Sequence, residues 1–150
     1  MAKRMIVKEP DLILSKKCRA VEVFDDRLRA LLDDMKETLA AVDGAGLAAP
    51  QVAVLKRAVI VSTVDGYFEL INPILISASG EQTGIEGCLS VPKKYGTVTR
   101  AEAICVSAYD RFGKLHKYNV SGFTARAFLH EMDHLDGVLY TSKCTDLTNE

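Results

Sequence analysis

The chain has 150 residues, 48% of them apolar and 26% charged, and a net charge of −1. That is one domain of ordinary globular balance, long enough to build a core without disulfide or metal staples. Near-neutral charge gives no electrostatic case for a nucleic-acid or anionic-membrane surface, and apolar runs such as Ala58 to Val61 fall far below the ~20 residues of a membrane-spanning helix.

Residues 1 to 24 read as an irregular N-terminal arm; MAKRMIVKEP lacks the apolar stretch and cleavage site of a signal peptide. The expected location is therefore the cytoplasm, or an organelle matrix once a targeting segment has been removed. Asp25 is a good N-cap, and Leu28, Leu31, Leu32, Met35, Leu39 and Val42 trace one helical stripe that Gly44 is placed to end. GAGLAAPQ, residues 44–51, is too rich in Gly and small residues for a strand interior. Ala58 to Val61 and Tyr67 to Ile71 read as strands joined by an Asp65-Gly66 turn. Gly80, Gly84, Gly87 and Pro92 mark a loop-rich middle with short extended pieces. Ala101 to Tyr109 and Leu115 to Val120 form a second hairpin around DRFG, and a helix from about Phe123 to Asp136 opens at Gly122 and stops at Gly137. The expected class is α+β: a single domain over 1–150, with mostly antiparallel sheets and hairpins packed around a central C-terminal helix, and one N-terminal helix.

The four cysteines form no CxxC pair, and free thiols are expected. Cys18, in SKKCRA, reads as a surface thiol, Cys105 as a core residue and Cys144 as a tail residue; all three read as inert. His116, alone in a polar segment, reads as solvated. His130 and His134 differ. In HEMDH they stand four apart on the last helix, so both project from one face about 5–6 Å apart and can bind one metal ion. Glu131 can reach a water on that metal without ligating it. The stripe through Phe123 and Ala127 turns the pair inward. A catalytic site of this kind wants a third protein ligand. Downstream, Asp136, Cys144, Asp146 and Glu150 are the candidates, and none has a familiar third-ligand spacing. Upstream, EGCLS at 86–90 offers Cys88 between a Gly and a Leu, and its thiolate would complete a Cys-His-His set.

GAGLAAPQ at 44–51, EGCLS at 86–90 and HEMDH at 130–134 together resemble the three signature motifs of peptide deformylases, in order and spacing, and the resemblance covers nearly the whole chain. It implies a metal-dependent hydrolase that removes the formyl group from formyl-methionyl peptides of nascent proteins. Cys88, His130 and His134 would be the metal ligands and Glu131 the general acid/base. The ion would commonly be Fe²⁺, with Zn²⁺, Ni²⁺ or Co²⁺ as substitutes. It further implies that the Gln51 amide and the Leu89 N–H donate to the developing oxyanion. Ala45, Gly46 and Gly87 would pair with the substrate main chain as an added strand. Ile85, Phe123, Ala127 and the His130 ring would form the methionine pocket, although Ile85 and Phe123 read equally well as core. Arg126, where some relatives carry an apolar pocket residue, has three readings: pointing to solvent, narrowing the pocket, or pairing with Glu86. Proximity to the ribosome is a further implication, with no nucleic-acid signal in the chain itself. Two other readings stand beside this one. A HExxH metallopeptidase needs a downstream ligand that is not found. A non-catalytic Cys-His-His metal-binding protein would normally close its site with four ligands and leaves Glu131 and Gln51 without purpose.

Overall fold

The computed structural model describes residues 2–149. Helix α1 spans Asp26–Val42. Asp25 caps it, its carboxylate accepting from the Leu28 N–H at 3.0 Å, and its leucine stripe is buried. The residue that turns left-handed at its end is Asp43 (φ 53°) rather than Gly44. Gly44 is required for space instead, since a Cβ there would stand 2.8 Å from Leu39 Cδ1.

Strands β1 (Gly46–Ala48), β2 (Ala58–Thr63), β3 (Gly66–Ser79), β6 (Ala103–Tyr109) and β7 (Leu115–Ser121) form one antiparallel sheet in the order β1-β2-β3-β6-β7. Strands β4 (Gln82–Cys88), β5 (Val91–Arg100) and β8 (Thr148–Asn149) form a second, in the order β4-β5-β8. Helix α2, Gly122–Leu135, crosses between them. Alternation along β2 explains the layering. Val59 and Val61 pack with Ala125, Phe128 and Leu135 of α2, whereas Ala58 and Ile60 pack with the α1 leucines. Phe128, fully buried, meets the Phe68 ring edge-to-face at 5.1 Å. The α+β architecture expected from the sequence is what forms.

Three expectations about the strands are corrected. Residues 46–48 do form a strand, pairing Leu47 with Ile60; small residues suit an edge strand that runs beneath another element. The middle is not loop-rich: Gln82–Cys88 and Val91–Arg100 pair as a hairpin. Its glycines are strand residues where a Cβ would crowd a neighbour, the Arg126 guanidinium at Gly84 and the Tyr95 ring at Gly87. Strand β3 also runs on to Ser79 through two register shifts.

The N-terminal arm is irregular, as expected, but anchored. Val7 N–H donates to Gln51 O, Glu9 N–H to Ser90 O and Cys18 N–H to Leu135 O. Gly137, φ +76°, ends α2 with its α-carbon against the Ser15 backbone. Cys18 is therefore not a surface thiol: it is buried in the core shared with α2, and burial pushes its thiol up to about 11, with Arg57 opposing. Cys105 is half-buried, because the inward positions of β6 belong to Ile104, Val106 and Ala108. Cys144 packs against the cluster of Val91, Val98 and Tyr140 rather than trailing free. His116 bonds Asp110 at 2.8 Å and stacks on Tyr118.

Candidate active site

The end of β4 and the middle of α2 meet at a cleft of about 700 Å³. Helical spacing puts His130 and His134 on the buried side of α2, and the Cys88 thiol faces them: Sγ stands 3.3 Å from His134 Nε2. Ligand atoms of Cys88, His130 and His134 all lie within 4.8 Å of one another. A thiolate and two imidazoles are a donor set suited to Zn²⁺ or Fe²⁺. Glu131 supplies a second sign of fit. Its carboxylate is buried, Oε1 is 4.0 Å from His134 Nε2, and that oxygen has no hydrogen-bond partner among the described residues. A buried carboxylate oxygen without a donor costs free energy, and a polar guest at this point would supply one. Burial pushes the Glu131 carboxyl up to about 7, opposed by His130.

Glu86, two residues before Cys88 on β4, underlies the centre. Its carboxylate takes His130 Nδ1 at 2.8 Å, Arg100 Nε at 2.6 Å and Nη2 at 2.9 Å, and Arg126 Nη1 at 2.6 Å. Burial works against its charge, but the bonds from His130 and Arg100 outweigh it and hold the carboxyl down to about 2. With Nδ1 engaged, His130 is left to turn Nε2 toward Cys88 and His134. Burial would lower the His130 imidazole as well, yet its bonds with Cys88 and Glu86 raise it to about 10. His134, buried with no such partner and facing the charges of His130 and Arg100, falls to about 3. Of the three readings of Arg126, pairing with Glu86 forms and pointing to solvent does not, since the residue is buried while it lines the cleft. Its guanidinium also donates to Val98 O at 3.0 Å.

Gln51 is buried, and its orientation is fixed. Oε1 accepts from Ala48 N–H at 2.9 Å, while Nε2 donates to Ser90 Oγ at 3.1 Å and approaches Cys88 Sγ at 3.6 Å. The amide NH₂ thus faces the Cys88 side of the cleft. Leu89 occupies the turn directly after Cys88 and lines the same cleft. So do Ala45, Gly46, Ile85, Gly87, Phe123 and Ala127. Ile85 is 72% and Phe123 60% exposed, which excludes the core reading of both. Ala127 is buried beneath them. Gly46 lies against Glu131: a Cβ there would come 2.7 Å from both Cγ and Oε2.

Sequence reasoning singled out every cleft residue just named but not the weight of Glu86, Arg100 and Ser90. Glu86 had a usable signal, since period two places it on the same strand face as Cys88. Arg100 and Ser90 had none, because only the fold brings them there.

The family model described as Polypeptide deformylase matches residues 3–150. Peptide deformylase 1 of Bacillus subtilis (strain 168) is 51% identical over 152 residues, covering 100% of this chain and 95% of that protein. The peptide deformylase of Caldicellulosiruptor bescii is 48% identical over 150 residues, covering 100% and 90%. Among solved structures, the peptide deformylase from Thermotoga maritima superposes with a TM-score of 0.94 at 32% identity, covering 97% of this chain and 100% of that one. The peptide deformylase from Legionella pneumophila gives 0.93 at 40%, covering 96% and 87%.

Proposed function

The chain belongs to the peptide deformylase family and is a metal-dependent deformylase, and from that premise we propose how its own residues divide the work. Cys88, His130 and His134 hold one divalent ion, with Fe²⁺ as the physiological metal and Zn²⁺, Ni²⁺ or Co²⁺ able to replace it. When bound, the ion supplies Lewis acidity and brings a coordinated water's pKa down toward ~7. Glu131 takes a proton from the attacking water and later delivers it to the departing nitrogen. The water oxygen adds to the formyl carbon, the C–N bond breaks, and formate and a free N-terminal amine result. Gln51 Nε2 and the Leu89 N–H donate to the carbonyl oxygen as it gains charge. Ala45, Gly46 and Gly87 receive the substrate backbone as an extra strand, and Ile85, Phe123 and Ala127 enclose the methionine side chain. The substrate is the formyl-methionyl end of nascent chains, met near the ribosome in a bacterial-type cytoplasm or an organelle matrix.

One observation carries the residue assignments: three ligand atoms converge beside a buried carboxylate oxygen that has no partner among the described residues. The experiment is formate release from formyl-Met-Ala-Ser by metal-loaded and chelator-stripped protein, with metal content measured after anaerobic purification. Release should follow the metal. Cleavage of an internal bond in the same peptide would favour the metallopeptidase, and metal uptake with neither product would favour a binding protein.

Two variants test the surroundings. Gly46→Ala should displace the Glu131 carboxylate and lower kcat by about 10²-fold, with the metal retained; turnover within twofold of the parent would show that Glu131 yields without consequence. Gln51→Leu should lower kcat by about 10²–10³-fold with little change in KM, the mark of a donor engaged mainly in the transition state. It should also destabilise the fold by about 1–3 kcal/mol, because the Ala48 N–H loses its acceptor. Steady-state kinetics and thermal melts separate the two effects.

A further inference from the structure

The chain carries almost no net charge, yet the cleft does not share that neutrality. Six Lys and Arg residues line it: Lys3, Arg4 and Lys8 from the N-terminal arm, Lys93 and Lys94 from the start of β5, and Arg126 of α2, which is paired with Glu86. The acids that line it are Glu86 and Glu131, and both are buried. Glu86 is spent on two arginines and His130, so neither offsets the rim. Arg4 is held by Asp34 at 2.9 Å. Lys3, Lys8, Lys93 and Lys94 have no ion pair among the described residues.

These ammonium groups are held by ordered backbone. The arm is tied to α1 by the Arg4 N–H on Thr38 Oγ1, and to the catalytic loops by Val7 on Gln51 and Glu9 on Ser90. Lys93 has a left-handed backbone (φ 63°). Lys94 pairs with β8 and accepts from the Tyr140 hydroxyl at 2.9 Å. A positive rim on a concave low-dielectric wall focuses potential along the cleft. A peptide whose first residue sits at Cys88 and Glu131 shares the cleft with this lining, so its next residues meet that potential.

We propose that the lysine rim makes the cleft selective for substrates with acidic side chains at the third and fourth residues, the partner being the nascent peptide itself and not a nucleic acid. The proposal rests on the deformylase reading of the cleft. Exposed ion pairs are individually weak, so the effect is additive and sensitive to salt. Expected is a kcat/KM for formyl-Met-Ala-Glu-Glu about three- to tenfold above that for formyl-Met-Ala-Lys-Lys at low ionic strength. The ratio should fall toward one as added salt shortens the screening length to about 3 Å near 1 M.

The test measures both peptides, together with uncharged formyl-Met-Ala-Gln-Gln, across that salt range. It uses the parent and the combined variant Lys8→Gln, Lys93→Gln, Lys94→Gln. A ratio that collapses in the variant at low salt supports the rim, with thermal melts showing that the variant is folded. Equal kcat/KM for the acidic and basic peptides in the parent at low salt overturns it, as does a preference that salt and the variant leave untouched. A poly(U) RNA that inhibits all three peptides alike, in the absence of any charge preference, also overturns it and assigns the rim to phosphate backbone. Turnover of the uncharged peptide keeps this failure distinct: if that peptide too is inert with metal bound, the deformylase reading has failed and not merely the rim.

Discussion

Glu131→Gln should bind as much metal as the parent and release formate at least about 10²–10⁴-fold more slowly. The amide matches the carboxylate in shape, so the close fit against Gly46 is kept, but it cannot accept the proton of the attacking water. In the proposed division of work one group serves in both halves of the reaction, as base and then as acid, so its loss should fall on both. Metal analysis and formate release on the same sample check the expectation. Near-parent turnover would remove Glu131 from the role, and loss of metal would recast it as part of the ligand set.

Glu86→Ala should destabilise the protein by about 3–5 kcal/mol, the usual cost of stripping a buried ion pair of one partner. Arg126 would lose its only ion-pair partner among the described residues, and Arg100 would keep only Asp133, at 3.0 Å. Such a loss is a large part of the 5–15 kcal/mol that holds a domain folded. His130 would simultaneously lose the acceptor on Nδ1, and metal affinity should fall by about 10–100-fold. Urea unfolding and competitive metal titration read the two effects separately. Glu86→Gln, which keeps an acceptor but not the charge, should lie between the two. A cost below 1 kcal/mol for Glu86→Ala would mean that the arginines find solvent on their own.

The sequence disclosed what is local and periodic. The Asp25 cap and leucine stripe of α1, the i,i+4 histidines of α2 and the first hairpin needed no fold to be read, although that hairpin turns at residues 64–65, one residue before the expected Asp65-Gly66, with Gly66 already paired to Thr63. It misled where a glycine answers to a distant atom. Gly84 and Gly87 look like loop residues until the Arg126 guanidinium and the Tyr95 ring are placed beside them. Cys18 looks exposed among lysines because nothing local tells of the α2 side chains that cover it. Arg100, in the same way, became part of the site only through the pairing of β4 with β5.

That hairpin has an irregular tip. Glu86 pairs with Gly96, whereas Cys88 pairs with Val91, so Pro92 to Tyr95 are carried as an excursion on one strand while Glu86 and Cys88 keep their places on the other. Residues 93 and 94 can therefore change charge without moving Cys88 or Glu86. In evolutionary terms the chemistry and the choice of substrate are modular: selection can retune which nascent chains are processed fastest by drift in a few surface codons, without touching the residues that break the bond.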